Sequence, residues 1–201
     1  MKTRKFYLVT FAIVIYSLLL TAIAAYLGSD LQLNLLQMLF LGLGAPILGI
    51  FLMMIDNHII YPVIGQHLVA ISLGVFIAPY LNRYAPGVVL QASSLTLIIT
   101  LFMGVLGYIK PNWFEGLRGP LFVALIALIV IRLVGLFFPQ LNVFSWVDYL
   151  SAFIFSLYIG LDVYLLSKVP RSYSEAIRRG CSLYLDILNL FLSILAITGD
   201  E

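Results

Sequence analysis

Residues Cys181 to Ile197 read Cys-Ser-Leu-Tyr-Leu-Asp-Ile-Leu-Asn-Leu-Phe-Leu-Ser-Ile-Leu-Ala-Ile, and Phe155 to Asp162 read Phe-Ser-Leu-Tyr-Ile-Gly-Leu-Asp. Each is a strongly apolar stretch holding one acid, Asp186 in the first and Asp162 in the second. Neither alternates as a barrel strand does, so both read as helices. The rest of the chain has the same character. It has 201 residues, 63% hydrophobic and only 10% charged, with a mean hydropathy of +1.10. Soluble domains are about 45–50% apolar and about 25% charged. The chain is therefore an all-α integral membrane protein, and a carboxylate inside one of its spans is a functional-site candidate by default.

A span needs about 20 mostly apolar residues to cross roughly 30 Å of hydrocarbon. Working outward from the two quoted runs, the expected spans are 6–27, 33–55, 59–80, 88–109, 119–138, 144–166 and 181–197, a single seven-helix domain over 1–201. The first resembles a secretory signal, with Lys2, Arg4 and Lys5 before an apolar run and Ala22-Ile23-Ala24 as a cleavage-like triplet. It is longer than the usual 7–15-residue signal core, roughly, and reads as a retained helix. The last is the shortest, which leaves open a re-entrant hairpin instead of a full crossing. Gly42, Gly44, Pro46 and Gly49 in the second span predict either a kink or close small-residue packing. A lone cysteine, Cys181, excludes an intrachain disulfide framework and any multi-cysteine metal site. It has no neighbouring base to make it a nucleophile.

Seven crossings put Lys2, Arg4, Lys5, Lys110, Arg118, Lys168, Arg171, Arg178 and Arg179 on one side and Arg83 on the other. The positive-inside rule then predicts a cytoplasmic N-terminus. Asp162 lies about four residues inside the cytoplasmic end of the sixth span and Asp186 about five inside the same end of the seventh. At 1.5 Å per residue both are roughly 6–8 Å deep. Two readings are open: a coupled carboxyl pair, or two acids that separately reach the nearby interface. A coupled pair would hold and release its proton as a unit.

The other intramembrane charge, Arg132, sits about 20 Å from the cytoplasmic face, too far to meet the aspartates. Asp148, at the outer start of the sixth span, is its expected partner, as an outer gate or as simple neutralisation. His58 and His67, with Asp56 beside them, read as solvated interfacial residues, since a metal would want more ligands in fixed geometry. Tyr158, Tyr164 and Tyr184 are expected to pack or hydrogen-bond near the interface. The basic stretch from Lys168 to Arg179 sets topology and offers a contact for anionic lipid.

Ser182-Leu183-Tyr184-Leu185-Asp186-Ile187-Leu188-Asn189-Leu190-Phe191 resembles the signature of the Bax inhibitor family, and Phe155 to Asp162 resembles the helix that precedes it there. The match is strong over about the last 50 residues. The resemblance implies a last helix at the centre of the other six, and a pH-sensitive calcium leak in which Asp162 and Asp186 form the sensor. Calcium is then a transported ion, with protons as the signal and no cofactor. The chain departs from some bacterial members in the second span, where Met53-Met54-Ile55-Asp56-Asn57-His58 offers no arginine to latch the pair. Val163-Tyr164 also replaces the more polar residues common after the first acid.

The expected function is thus a proton-sensitive calcium leak channel or transporter in a prokaryotic inner or plasma membrane, with no enzymatic activity and no nucleic-acid partner. A second reading is a non-transporting regulator that binds other membrane proteins. A remote third, an intramembrane aspartyl protease, also needs two aspartates on neighbouring helices. Gly160-Leu161-Asp162 lacks the spacing of its G-x-G-D motif, and no P-A-L follows.

Overall fold

In hydrocarbon a chain must satisfy its own backbone, and a run of 20 apolar residues does so as a helix. The computed structural model, which describes residues 1–55, 58–137 and 144–199, is accordingly all helical, with no strand among those residues. Seven helices are long and apolar enough to span a membrane. They are α1 (Thr3–Leu27), α2 (Leu35–Met54), α3 (Ile60–Leu81), α4 (Pro86–Ile109), α5 (Pro111–Phe137), α6 (Phe144–Leu165) and α7 (Tyr173–Gly199). The chain packs as two units, one of Met1–Ala85 with Val169–Tyr184 and one of Pro86–Lys168 with Leu185–Glu201.

In the first unit α3 packs on both α1 and α2. The buried face of α1 is Phe6, Thr10, Val14, Ser17, Thr21, Ala24 and Ala25, a stripe at helical spacing. Without water to drive association, membrane helices approach through small residues. A Cβ on Gly74 would lie 2.5 Å from the Thr21 carbonyl oxygen, and one on Gly49 2.6 Å from that of Gly65. The expected second span shows the close small-residue packing anticipated for it, and an irregular turn beside it. Gly49 packs against α3, and Phe40–Gly44 form a π-helical turn in which Ala45 N–H bonds the Phe40 carbonyl. Pro46 has no N–H to return to Gly42, and the wider turn accommodates that loss.

In the second unit α6 packs on α4 and α5. A Cβ on Gly107 would overlap the Gly160 carbonyl oxygen, and one on Gly160 would strike the ring of Phe114. Phe114 is 2% exposed and belongs to α5, which begins at Pro111 rather than at 119. Polar and small residues between 112 and 119 mask this start, while proline at the first helical position favours it.

The last helix also starts earlier than expected, at Tyr173 rather than Cys181, and runs 27 residues. Ser172 Oγ accepts from the Glu175 N–H, and Glu175 pairs with Arg178 and Arg179 at 3.4 and 2.8 Å. These contacts carry the helix through the charged stretch. At 1.5 Å per residue it is about 40 Å long, enough to cross, which removes the length argument for a hairpin. The connection at 138–143 and the terminal acids Asp200 and Glu201 lie outside the described residues.

Candidate functional site

Asp162 stands one turn before the end of α6 and Asp186 stands midway along α7, both within the second unit. Leu161, Val163 and Ile187, next to the acids in the chain, are buried, as the two acids are: Asp162 is 6% and Asp186 9% exposed. The two carboxyl groups lie in hydrogen-bonding contact. They form a pair rather than two acids reaching separately for solvent. No Lys, Arg or His makes a salt bridge to Asp186 among the described residues, and no N–H or hydroxyl donates to its buried Oδ2. Tyr158, one turn before Asp162 on the same helix, lies near enough to both carboxyls to feel their charge.

The structure also brings Arg132 and Asp148 together, with Arg132 Nη2 2.8 Å from Asp148 Oδ1. Arg132 keeps 42% of its side chain exposed and Asp148 15%. This pair sits at the far end of α5 and the start of α6, in the same unit as the aspartates but on the other end of α6.

His58 is exposed, as an interfacial residue should be. His67 is placed differently from its expectation. It lies two turns inside α3, half-buried, with Nε2 2.8 Å from the Tyr16 hydroxyl and Nδ1 2.8 Å from the Val63 carbonyl oxygen. Both ring nitrogens are occupied, so it is not a solvated end residue. Asp56 lies outside the described residues. Among the described residues no group of three His, Cys, Asp or Glu side chains converges as a metal site would. Cys181 is fully buried. Tyr164 is buried beneath the Lys168 ammonium, 5.4 Å from its ring centre.

Four contacts add to the sequence reading. Thr21 Oγ1 lies 2.6 Å from the hydroxyl of Tyr184, and Gln66 Nε2 donates to Ser17 Oγ at 2.8 Å, all buried in the first unit. Gln66 carried a signal, as the only Asn or Gln in its apolar segment; Tyr184 was expected to pack or hydrogen-bond, while Thr21, its partner, carried no signal. In the second unit Ser193 Oγ donates to Ser151 Oγ at 2.8 Å. Finally, α2 has no arginine of its own, yet a guanidinium reaches its end: Arg178 of α7 donates to the carbonyl oxygens of Met53 and Ile55. Those are terminal helix carbonyls, where a cation is favoured.

Comparison with known proteins bears on this arrangement. Residues 3–201 match the family described as "Inhibitor of apoptosis-promoting Bax1". An uncharacterised protein of Helicobacter pylori is 35% identical over 130 residues, 63% of this chain and 56% of that one. Protein LIFEGUARD 4 of Arabidopsis thaliana is 43% identical over 115 residues, 55% of this chain and 46% of its own. An uncharacterised membrane protein of Vibrio cholerae is 33% identical over 133 residues, 63% and 58% respectively. The matched regions span about half the length of these curated relatives.

Proposed function

This chain belongs to the Bax inhibitor family of integral membrane proteins, and on that premise we propose that it is a pH-sensitive calcium leak, a channel or transporter gated by Asp162 and Asp186. The observation that carries this reading is the contact of the two buried carboxyls. Two ionised carboxylates in contact away from water repel strongly, so the pair keeps one shared proton and titrates as a unit. With that proton, the acids tie α6 to the second half of α7. Without it, two negative charges face each other, and they either separate or take up a cation.

Calcium takes about 6–8 oxygen ligands, and two carboxyl groups supply at most four. The pair therefore makes a transient contact with a passing ion and is no resident metal site. No cofactor is needed. No bond is made or broken in this cycle, and the protein acts as a conduit rather than an enzyme. A central last helix belongs to this reading as what the family resemblance implies. The N-terminus is assigned to the cytoplasm by the excess of Lys and Arg on its side. Bacterial membrane-protein relatives support a prokaryotic inner or plasma membrane.

A regulator that acts by binding other membrane proteins is the second reading. The family description, which names inhibition of an apoptosis-promoting protein, favours it. One experiment separates the two. Purified protein in liposomes loaded with a calcium dye should pass calcium, with a flux that varies across about two pH units. Asp162→Asn and Asp186→Asn should abolish that variation. A protein that passes no calcium at any pH, and that is recovered from membranes with a stable protein partner, is the regulator instead.

A further inference from the structure

The first unit holds a recess of about 670 Å³ at the N-terminal ends of α1 and α7 that the gate does not use. Lys2, Lys5 and Arg171 line it, together with Met1, Ser172 and Tyr173, and no Asp or Glu among the described residues does. The nearest acid along the chain, Glu175, is held by Arg178 and Arg179. Three cationic side chains thus converge on an opening beside the Met1 ammonium, which donates to the Arg171 carbonyl oxygen, and no acidic side chain among the described residues lines it.

The cations are arranged rather than scattered. Arg171 Nη1 donates to Thr3 Oγ1, which ties the segment before α7 to the first turn of α1. The Lys5 ammonium lies 5.2 Å from the ring centre of Tyr173, close enough for cation–π attraction. Tyr173 is itself 44% exposed, and a tyrosine at a span's end suits the headgroup level of a bilayer. Next along α1, Leu8 and Phe11 are exposed and apolar. The surface therefore passes from three cations to hydrocarbon-facing side chains within about three turns of one helix, roughly 16 Å. A free inorganic anion would use only the cations. A molecule with a phosphate and acyl chains would use both.

We propose that the recess lined by Lys2, Lys5 and Arg171 holds the phosphate headgroup of an anionic phospholipid, whose acyl chains lie along the exposed face of α1. Each Lys or Arg near an anionic membrane surface is worth about fivefold in affinity. Removing Lys5 and Arg171 should weaken the contact about 25-fold if the two act independently.

Native mass spectrometry of the full chain, released from micelles doped with phosphatidylglycerol or phosphatidylcholine, reads this directly. The wild type should retain one phosphatidylglycerol in preference to phosphatidylcholine. Lys5→Gln with Arg171→Gln should lose that preference, and Lys5→Arg with Arg171→Lys should keep it. Arg83→Gln, which does not line the recess, should behave as wild type. Matched circular dichroism melts establish that each variant is folded; should the glutamine double variant fail to fold, Lys5→Gln alone carries the test, with about fivefold weakening expected. Equal retention of both lipids, or equal phosphatidylglycerol retention by folded glutamine variants, overturns the proposal. Displacement of the lipid by millimolar inorganic phosphate also overturns it, by showing a site for the free anion.

Discussion

Asp162 and Asp186 touch carboxyl to carboxyl, although 24 residues and a helix reversal separate them in the chain. The contact makes their charges interdependent. On the proposed reading the pair shares one proton, and its loss leaves two negative charges in a poorly screened site, so stability should fall as pH rises. Replacing Asp186 by Asn keeps the shape, supplies a fixed N–H donor to Asp162 and removes one charge. Asp186→Asn should therefore melt at a nearly constant temperature between pH 5 and pH 9, about, while the wild type melts lower at the alkaline end. Melts followed by circular dichroism in detergent check this. A wild type as insensitive to pH as the variant would show that the two acids do not share a proton.

The close approach of α4 and α6 at Gly107 and Gly160 gives a second expectation. A methyl group at 107 would overlap the Gly160 carbonyl oxygen, and backbone cannot move aside as a flexible side chain can. Gly107→Ala should cost about 1–3 kcal/mol, the usual penalty for overpacking. A Cβ on Gly104, one turn away, would meet only Val163 Cγ2 at 3.8 Å, an ordinary contact. Gly104→Ala should be neutral within about 0.5 kcal/mol. Unfolding in mixed detergent measures both, and equal losses at the two positions would show that the separation of α4 and α6 is not set at Gly107.

The acids were visible in the sequence because a charge in an apolar run is costly and therefore conspicuous. Arg132 and Asp148 were legible for the same reason. The starts of α5 and α7 were not, because apolarity ends where the interface begins and a helix need not. Glu175, Arg178 and Arg179 continue α7 by pairing with one another at helical spacing, and Phe114 anchors the first turns of α5 on Gly160. The pairing of Thr21 with Tyr184 depends on the rotation of two helices about their axes, which no apolar run records. Likewise, the absence of an arginine from the second span gave no hint that Arg178 would approach its end from α7.

Thr21 and Tyr184 form a buried hydrogen bond of 2.6 Å within the first unit, and Thr21 also donates to the Ala70 carbonyl oxygen. Interhelical hydrogen bonds in membranes contribute about 0.6 kcal/mol on average and at most about 1.7 kcal/mol. A double-mutant cycle of Thr21→Val and Tyr184→Phe should give a coupling in that range. On the proposed calcium-leak reading, the same changes should leave the pH dependence of flux intact, since both remove only neutral groups. A shift in the flux profile without a loss of stability would assign Thr21 and Tyr184 to the gate.

The ion pair of Arg132 and Asp148 tests whether a second gate exists. Arg132 leaves 42% of its side chain exposed, so solvent and headgroups share its charge and the pair contributes about 0–1 kcal/mol, as exposed ion pairs do. An outer gate would need the pair to open and close against a substantial energy, which so weak a contact does not supply. Removing both charges together, Arg132→Gln with Asp148→Asn, avoids leaving either one uncompensated. On the proposed calcium-leak reading, that double variant should pass calcium within about twofold of the wild type, because about 0.4 kcal/mol corresponds to twofold, and its pH profile should be unchanged. A larger change in flux, with the pH profile preserved, would place a second constriction at the start of α6, in series with the carboxyl pair near its other end.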